Sequence, residues 1–287
     1  RALVVDGLAF GALDPGSLEA VRAPLVALVH HPLALETGLA PSRAAALQRT
    51  EAANLARAAA VLVPSPHTAR TLVDRFCVPA ERIAVAPPGH DRPAGPSRPS
   101  DPPLILSVGS LVPRKGHDVL IDALATLIDL PWRAVIAGGM SDTGCAAALA
   151  DQVAARDLSD RVSFAGSVDA DTLGALYREA TAFALATRYE GYGMVFAEAL
   201  AHGVPVVSCR AGAVPDTVPS DAGVLVPPDA PAAFAGALRD ILGDPGRRET
   251  LSRAAARVGA ALPAWSDTAA IFARVVDALP PVIPTGR

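Results

Sequence analysis

Short apolar runs alternate with stretches whose apolar positions recur at helical spacing along the whole 287-residue chain. That alternation is the pattern of βαβ units, in which a parallel strand is buried on both faces and the connecting helix crosses back over the sheet. In the first part strands are expected near Leu3–Val5, Leu25–Val29, Val61–Val63 and Ile83–Ala86, with an alanine-rich helix across Arg43–Ala59 and another after Pro66. Further on, strands are expected at Leu104–Val108, Ala134–Ala137, Val162–Phe164, Ala182–Ala186, Val204–Ser208 and Val224–Val226. Helices are expected from about His117, near Ala146–Arg156, near Thr172–Ala180 and from about Met194, and three more close the chain, the last from about Asp267 to Leu279. The class is therefore α/β, with two Rossmann-like doubly wound domains.

The alternation breaks once, between His90 and Pro103, where a polar, proline-rich stretch is held extended. The expected organisation is a first domain over 1–95, a linker over 96–103, a second domain over 104–265 and a C-terminal helix over 266–280 that returns to the first domain. The second domain has strands for a full sheet. The first has about four, and the chain opens without a methionine directly in an apolar strand, so the reading is of an incomplete first domain whose leading strands precede Arg1. An exposed sheet edge and reduced stability are expected to follow.

Composition narrows the function. The net charge of −4 and pI near 5.9 give no basic field for nucleic acid or anionic lipid, though a local anion site is compatible with them. Cys77, Cys145 and Cys209 are odd in number and lack C-x-x-C spacing, which argues against a disulfide framework or a zinc site and fits a reducing compartment. No run of 18 apolar residues free of charge or proline is present, so no transmembrane segment is expected. Of the 25 Lys+Arg, one is a lysine, Lys115.

Three constellations carry candidate chemistry. Glu190-Gly191-Tyr192-Gly193-Met194 follows a strand and opens a helix that carries Glu198. Two glycines let the backbone approach a ligand, and the helix N-terminus offers free N–H groups to an anion. Glu190 and Glu198 can then face one ligand, as acceptors for hydroxyls on either side of a phosphate. The bland alternative is a tight turn with solvated acids. Val108-Gly109 leads through Arg114-Lys115-Gly116 to a helix capped by His117 or Asp118, placing a cation pair at the carboxyl end of a strand, where open α/β sheets bind ligands. A solvated loop is the usual reading of such a pair; the placement of the one lysine there weakens it. His30-His31 ends a first-domain strand and could meet a sugar hydroxyl, although a bare histidine pair is more often structural, and no acidic residue stands at metal-ligand spacing from it. Asp169-Ala170-Asp171 matches an Asp-x-Asp metal motif but precedes a helical pattern, so Asp169 reads as a helix cap. His67, His90 and His202 read as ordinary loop or helix-end residues. No G-x-G-x-x-G follows a strand with an acid about 20 residues on, which argues against a dinucleotide-dependent oxidoreductase.

Taken together, these residues resemble glycosyltransferase family 4, retaining enzymes of the GT-B fold. Glu190 to Glu198 looks like the family's E-x7-E motif, and Leu104–Ser110 with Arg114-Lys115-Gly116 looks like its donor-phosphate loop. Val162–Phe164 with Gly166, Leu176-Tyr177, Ala211–Asp216 and Gly223–Pro228 follow in the family's order. The likeness covers nearly all of 104–280. In the first domain it is looser, resting on the His30-His31 strand end, the strand ending at Ser65, and Pro87-Pro88-Gly89. The family's glycine-rich loop after the first strand is not present, and Asp216 stands where a glutamate is usual.

The resemblance implies a donor site in which Arg114 and Lys115 bind the diphosphate and Gly109 lets the donor approach. Gly191, Tyr192, Gly193 and Met194 would present backbone to phosphate and sugar, Glu190 would meet the transferred sugar, and Glu198 would hold the ribose. His31, with His30 second, would be the histidine that reaches the sugar; Glu190 and His31 are the catalytic candidates. It implies a hexosyltransferase using a UDP- or GDP-type nucleotide-sugar donor and a sugar or lipid-linked acceptor, without metal or other cofactor. It also implies a cytoplasmic place in bacterial envelope polysaccharide or glycolipid assembly, with no nucleic-acid partner and with peripheral membrane contact compatible. The alternative is a nucleotide-sugar-binding module without turnover.

Overall fold

The computed structural model describes residues 2–36, 38–93 and 95–280, which form two compact units. The first runs from residue 2 to Gly89 and takes up the chain again from Pro263; the second is His90–Leu262.

The first unit contains β1 (Leu3–Asp6), α1 (Gly7–Ala12), β2 (Leu25–Leu28), α2 (Pro41–Arg57), β3 (Ala60–Val63), α3 (Pro66–Phe76) and β4 (Ile83–Val85). Its four strands are parallel in the order β1-β2-β3-β4. The second contains β5 (Leu104–Val108), α4 (His117–Leu124), β6 (Arg133–Ala137), α5 (Thr143–Ala155), β7 (Val162–Gly166), α6 (Ala170–Glu179), β8 (Ala180–Leu185), α7 (Met194–Ala201), β9 (Val206–Cys209), α8 (Val214–Thr217), β10 (Gly223–Val226), α9 (Pro231–Gly243) and α10 (Pro245–Ala260). The last helix, α11 (Trp265–Asp277), belongs to the first unit, where Ile271, Phe272, Val275 and Leu279 pack against Val26 and Leu62. Both units are α/β with all strand pairs parallel, as the alternation of apolar runs and helical stretches predicts.

Two short helices, α1 and the four-residue α8, are not anticipated by the pattern. α1 follows β1 without a loop, capped by the Asp6 carboxylate, which accepts from Leu8 N–H at 2.9 Å. Six residues are too few for a helical period to show. Tertiary contacts hold it instead: Asn54 of α2, fully buried, donates from Nδ2 to the Phe10 and Leu13 carbonyls at 2.6 and 2.9 Å. β1 lies at the edge of its sheet, with Leu3 and Val4 exposed. The proline-rich stretch is laid along the second unit, where Arg98 and Ser100 donate backbone N–H to the Arg178 and Glu179 carbonyls at the end of α6. Among the described residues no helix is long and apolar enough to cross a membrane.

Candidate functional site

In the second unit the strand order is β10-β9-β8-β5-β6-β7. The chain winds outward from β5 in one direction and from β8 in the other, so these two neighbours mark the switch point. α4, after β5, buries its apolar face with α5 and α9 on one side of the sheet. α7, after β8, buries Phe196, Ala199 and Leu200 with α10 on the other. The loops leaving the carboxyl ends of β5 and β8 therefore part to opposite faces and open a crevice between them, where doubly wound sheets bind ligands. Both sequence constellations of this unit sit on those two loops.

The loop after β5 is rigidly placed. Gly109 N–H donates to Ala137 O and Leu111 N–H to Gly139 O, each at 2.9 Å. Gly116 closes the loop with φ 66° and ψ 28°, where a Cβ would collide with the Ala186 carbonyl oxygen of the neighbouring loop. Only glycine satisfies both demands. Gly116 is also the N-cap of α4, so the cap is not His117 or Asp118 as the sequence suggested: a glycine in the left-handed conformation turns the chain, and no side-chain cap forms. His117 instead points inward, 1% exposed. Its Nε2 is 3.3 Å from the Gly109 carbonyl and its Nδ1 3.5 Å from Ser107 Oγ. A carbonyl can only accept, so Nε2 carries the proton and Nδ1 faces the serine hydroxyl. Burial pushes this imidazole down to about 4, so it is neutral at pH 7 and ties the first residue of the loop to the first of the helix. Asp118 is engaged elsewhere, by Arg188, which donates to both its carboxylate oxygens at 2.7 and 3.0 Å and to Asp229 at 2.8 Å.

The two loops meet through charge. Lys115 Nζ donates to Glu190 Oε1 at 2.6 Å, and Arg114 Nη1 donates to the Tyr189 carbonyl at 2.9 Å while standing 3.7 Å from Glu190 Oε2. The Thr187 hydroxyl, fully buried, lies 3.1 Å from Glu190 Oε1. Two cations from one loop thus gather around one carboxylate from the other.

Beyond Glu190 the turn reaches Gly193, at φ 83°, which caps α7 without any side-chain hydrogen bond. Met194, the first helical residue, is exposed. Glu198 lies one turn on, and its Oε2 accepts from the Tyr177 hydroxyl at 2.9 Å. Tyr177, buried in α6, is held well above its usual pKa by burial and then by Glu198, so it remains the donor. His202 stacks on Tyr177 with centroids 5.0 Å apart, its Nδ1 2.9 Å from the Glu198 carbonyl. The two acids of the motif thus have separate partners, Glu190 the cations and Glu198 the tyrosine. Sequence reasoning does not bring Thr187 or His202 into the site, and it names His117 only as a cap and Tyr177 only by its place in the motif order; the contacts each makes are set by the fold.

His30 and His31, in the first unit, follow β2. His30 Nε2 is 3.3 Å from Asp6 Oδ2, and His31, the more buried, has its Nε2 3.3 Å from Glu36 Oε2. The sequence showed no acidic partner for either; the fold supplies one to each. Glu51, buried in α2, accepts from Leu33 and Ala34 N–H at 2.6 and 2.7 Å and fixes the turn that follows them. Asp169 caps α6, accepting from Thr172 N–H at 2.8 Å, which lowers its pKa. Among the described residues no three His, Cys, Asp or Glu side chains gather as a metal site.

A family model described as glycosyl transferases group 1 matches residues 92–258, and one described as glycosyltransferase family 4 matches residues 7–92. The D-inositol 3-phosphate glycosyltransferase of Kineococcus radiotolerans is 35% identical over 217 residues, 66% of this chain and 50% of that protein. The protein of the same name from Acidothermus cellulolyticus is 35% identical over 224 residues, 71% of this chain and 50% of its own. The chain spans about half the length of these curated relatives. Sucrose-phosphate synthase from Thermosynechococcus elongatus superposes with a TM-score of 0.82 at 25% identity, covering 96% of this chain and 72% of that one. Anabaena HepE, solved in complex with UDP-glucose, shares the fold with a TM-score of 0.81 at 22% identity, over 92% of this chain and 75% of its own.

Proposed function

The chain belongs to the glycosyl transferases group 1 family, and we propose that it moves a sugar from a nucleoside-diphosphate donor to an alcohol acceptor with retention at the anomeric carbon. One observation carries the reading: the cation-bearing loop after β5 and the glycine turn after β8 meet in one crevice, with Lys115 Nζ 2.6 Å from Glu190 Oε1. An ammonium has three N–H donors, so Lys115 can serve Glu190 and phosphate oxygens together, and Arg114 adds a second cation. These charges favour departure of the diphosphate, whose negative charge grows as the sugar–oxygen bond breaks. In the proposed step the acceptor oxygen bonds to the anomeric carbon on the face the diphosphate leaves. The departing phosphate oxygen takes the acceptor's proton, so no protein nucleophile is required. Glu198, oriented by Tyr177, is assigned to the ribose hydroxyls, and the N–H groups at the start of α7 to phosphate or sugar.

HepE's complex with UDP-glucose makes UDP-sugars the first donors to test, with GDP-sugars beside them, and the relatives' names make a polyol phosphate the first acceptor. The test is donor binding by calorimetry, with and without EDTA, followed by nucleotide release and the anomeric configuration of the product by NMR. Binding that survives the chelator and a product of retained configuration are expected. No binding by any nucleotide sugar, or an inverted product, would overturn the proposal.

A further inference from the structure

Gly191 and Gly193 give the donor turn more backbone freedom than any other residue pair would, and one side chain stands between them, that of Tyr192. Contacts from outside the turn hold it. Ala213 N–H donates to the Glu190 carbonyl at 2.8 Å, and Thr217 Oγ1 donates to the Tyr192 carbonyl at 2.9 Å. A further hold comes through the Tyr192 side chain: His90 Nε2 lies 3.2 Å from its hydroxyl, and the two rings stack with centroids 6.0 Å apart and planes 22° from parallel.

His90 is the first residue of the second unit and is itself anchored nearby, since Arg92 Nη1 donates to the Ala260 carbonyl at 3.0 Å. Burial pushes the tyrosine hydroxyl up to about 12, and burial holds the His90 imidazole below its ordinary value against the opposing pull of Asp91. Both rings are therefore neutral at pH 7, and the contact is a hydrogen bond between neutral groups on stacked planes.

We propose that His90 is a positioning residue for the donor turn, acting through the ring and hydroxyl of Tyr192 to hold the backbone of residues 191–193 in the geometry that receives the anionic donor. This rests on the donor-site reading above. It differs from a general packing role in that the ring stacking is completed by a specific hydrogen bond, whose removal from either side should have the same effect.

The test is a double-mutant cycle of His90→Phe, Tyr192→Phe and the pair, each of which keeps a ring in place and removes a polar partner. Affinity for uridine diphosphate is read by calorimetry, kcat with the donor found active, and amide hydrogen exchange at residues 191–193 without any ligand. Each single variant should bind about fivefold more weakly, the pair no more weakly than either single, with the loss falling on affinity more than on kcat and turn amides exchanging faster in all three. His90→Gln, which restores a side-chain hydrogen-bonding group, should recover part of the affinity. Losses that multiply in the pair, or singles that bind like the parent, overturn the proposal. Failure of the parent chain to bind any nucleotide would instead overturn the donor-site reading, and hydrogen exchange then decides the positioning role: unaltered exchange in the variants refutes it.

Discussion

Acid should weaken the second unit through His117. Its imidazole is 1% exposed, donates to the Gly109 carbonyl, and is pushed from 6.5 to about 4, first by burial and further by the nearby charge of Lys115. The unfolded chain thus binds a proton that the folded chain refuses between these two values. Stability from the neutral ring is complete above pH 6.5 and is lost as pH falls toward 4. At 1.36 kcal/mol per pH unit the interval sets a ceiling of about 3 kcal/mol, of which about 2 kcal/mol is lost between pH 7 and pH 5. The comparison is with His117→Gln, which does not titrate, in a Trp265→Phe background so that buried Trp132 alone reports on the second unit. Urea unfolding followed by its fluorescence should show the parent losing about 2 kcal/mol more than the variant on going from pH 7 to pH 5. Equal losses, or an NMR titration midpoint for His117 above pH 6, would refute the reasoning.

Four further outcomes are expected. Lys115→Ala should weaken uridine diphosphate binding by roughly tenfold or more, since a charge-assisted hydrogen bond in a half-enclosed site is lost; calorimetry at two salt concentrations checks it, and unchanged affinity would remove Lys115 from the site. Glu190→Gln should bind the same diphosphate more tightly while lowering the urea midpoint, because the carboxylate both competes for Lys115 and neutralises the two cations. Glu198→Ala should erase the preference for uridine diphosphate over its 2′-deoxy analogue, measured by competition; a preference that persists would place the ribose elsewhere. Asp169→Ala should lower the melting temperature through loss of the α6 cap and leave nucleotide binding unaltered with or without EDTA.

What the sequence disclosed follows from physics that acts locally. Strands buried on both faces are predominantly apolar, so Leu104–Leu106 and Ala60–Val63 stand out as continuous runs, and the helices between them show their period because each has a single buried face. The two glycine-bearing loops are legible for the same reason, since each interrupts that pattern at a strand end. α1 is hidden because a six-residue helix has no period and is held by Asn54, 44 residues from Phe10 in the chain. The cap of α4 is misread because Gly116 takes it by conformation, freeing His117 to turn inward, and nothing in the sequence marks a histidine as buried. Pairings are the least legible. Lys115 and Glu190 are 75 residues apart and meet because β5 and β8 are neighbours in the sheet, a property of winding order rather than of either segment.

That pairing also explains how such a site can exist before its ligand arrives. Side chains of Lys115 and Arg114 are only 13% and 24% exposed, and two like charges so placed would repel one another and forfeit much of their hydration. Glu190, 7% exposed and steadied by Thr187, supplies the compensating charge from the opposite loop, so the cations stay where the sheet puts them. Under the proposed reading, an entering diphosphate adds negative charge to a cluster in which Glu190 faces both cations. On the same reading, the arrangement holds binding strength down, since the donor would share Lys115 with Glu190. The proposed transfer requires release of the nucleoside diphosphate at every turnover, and a carboxylate that reclaims the lysine would favour that release over permanent capture.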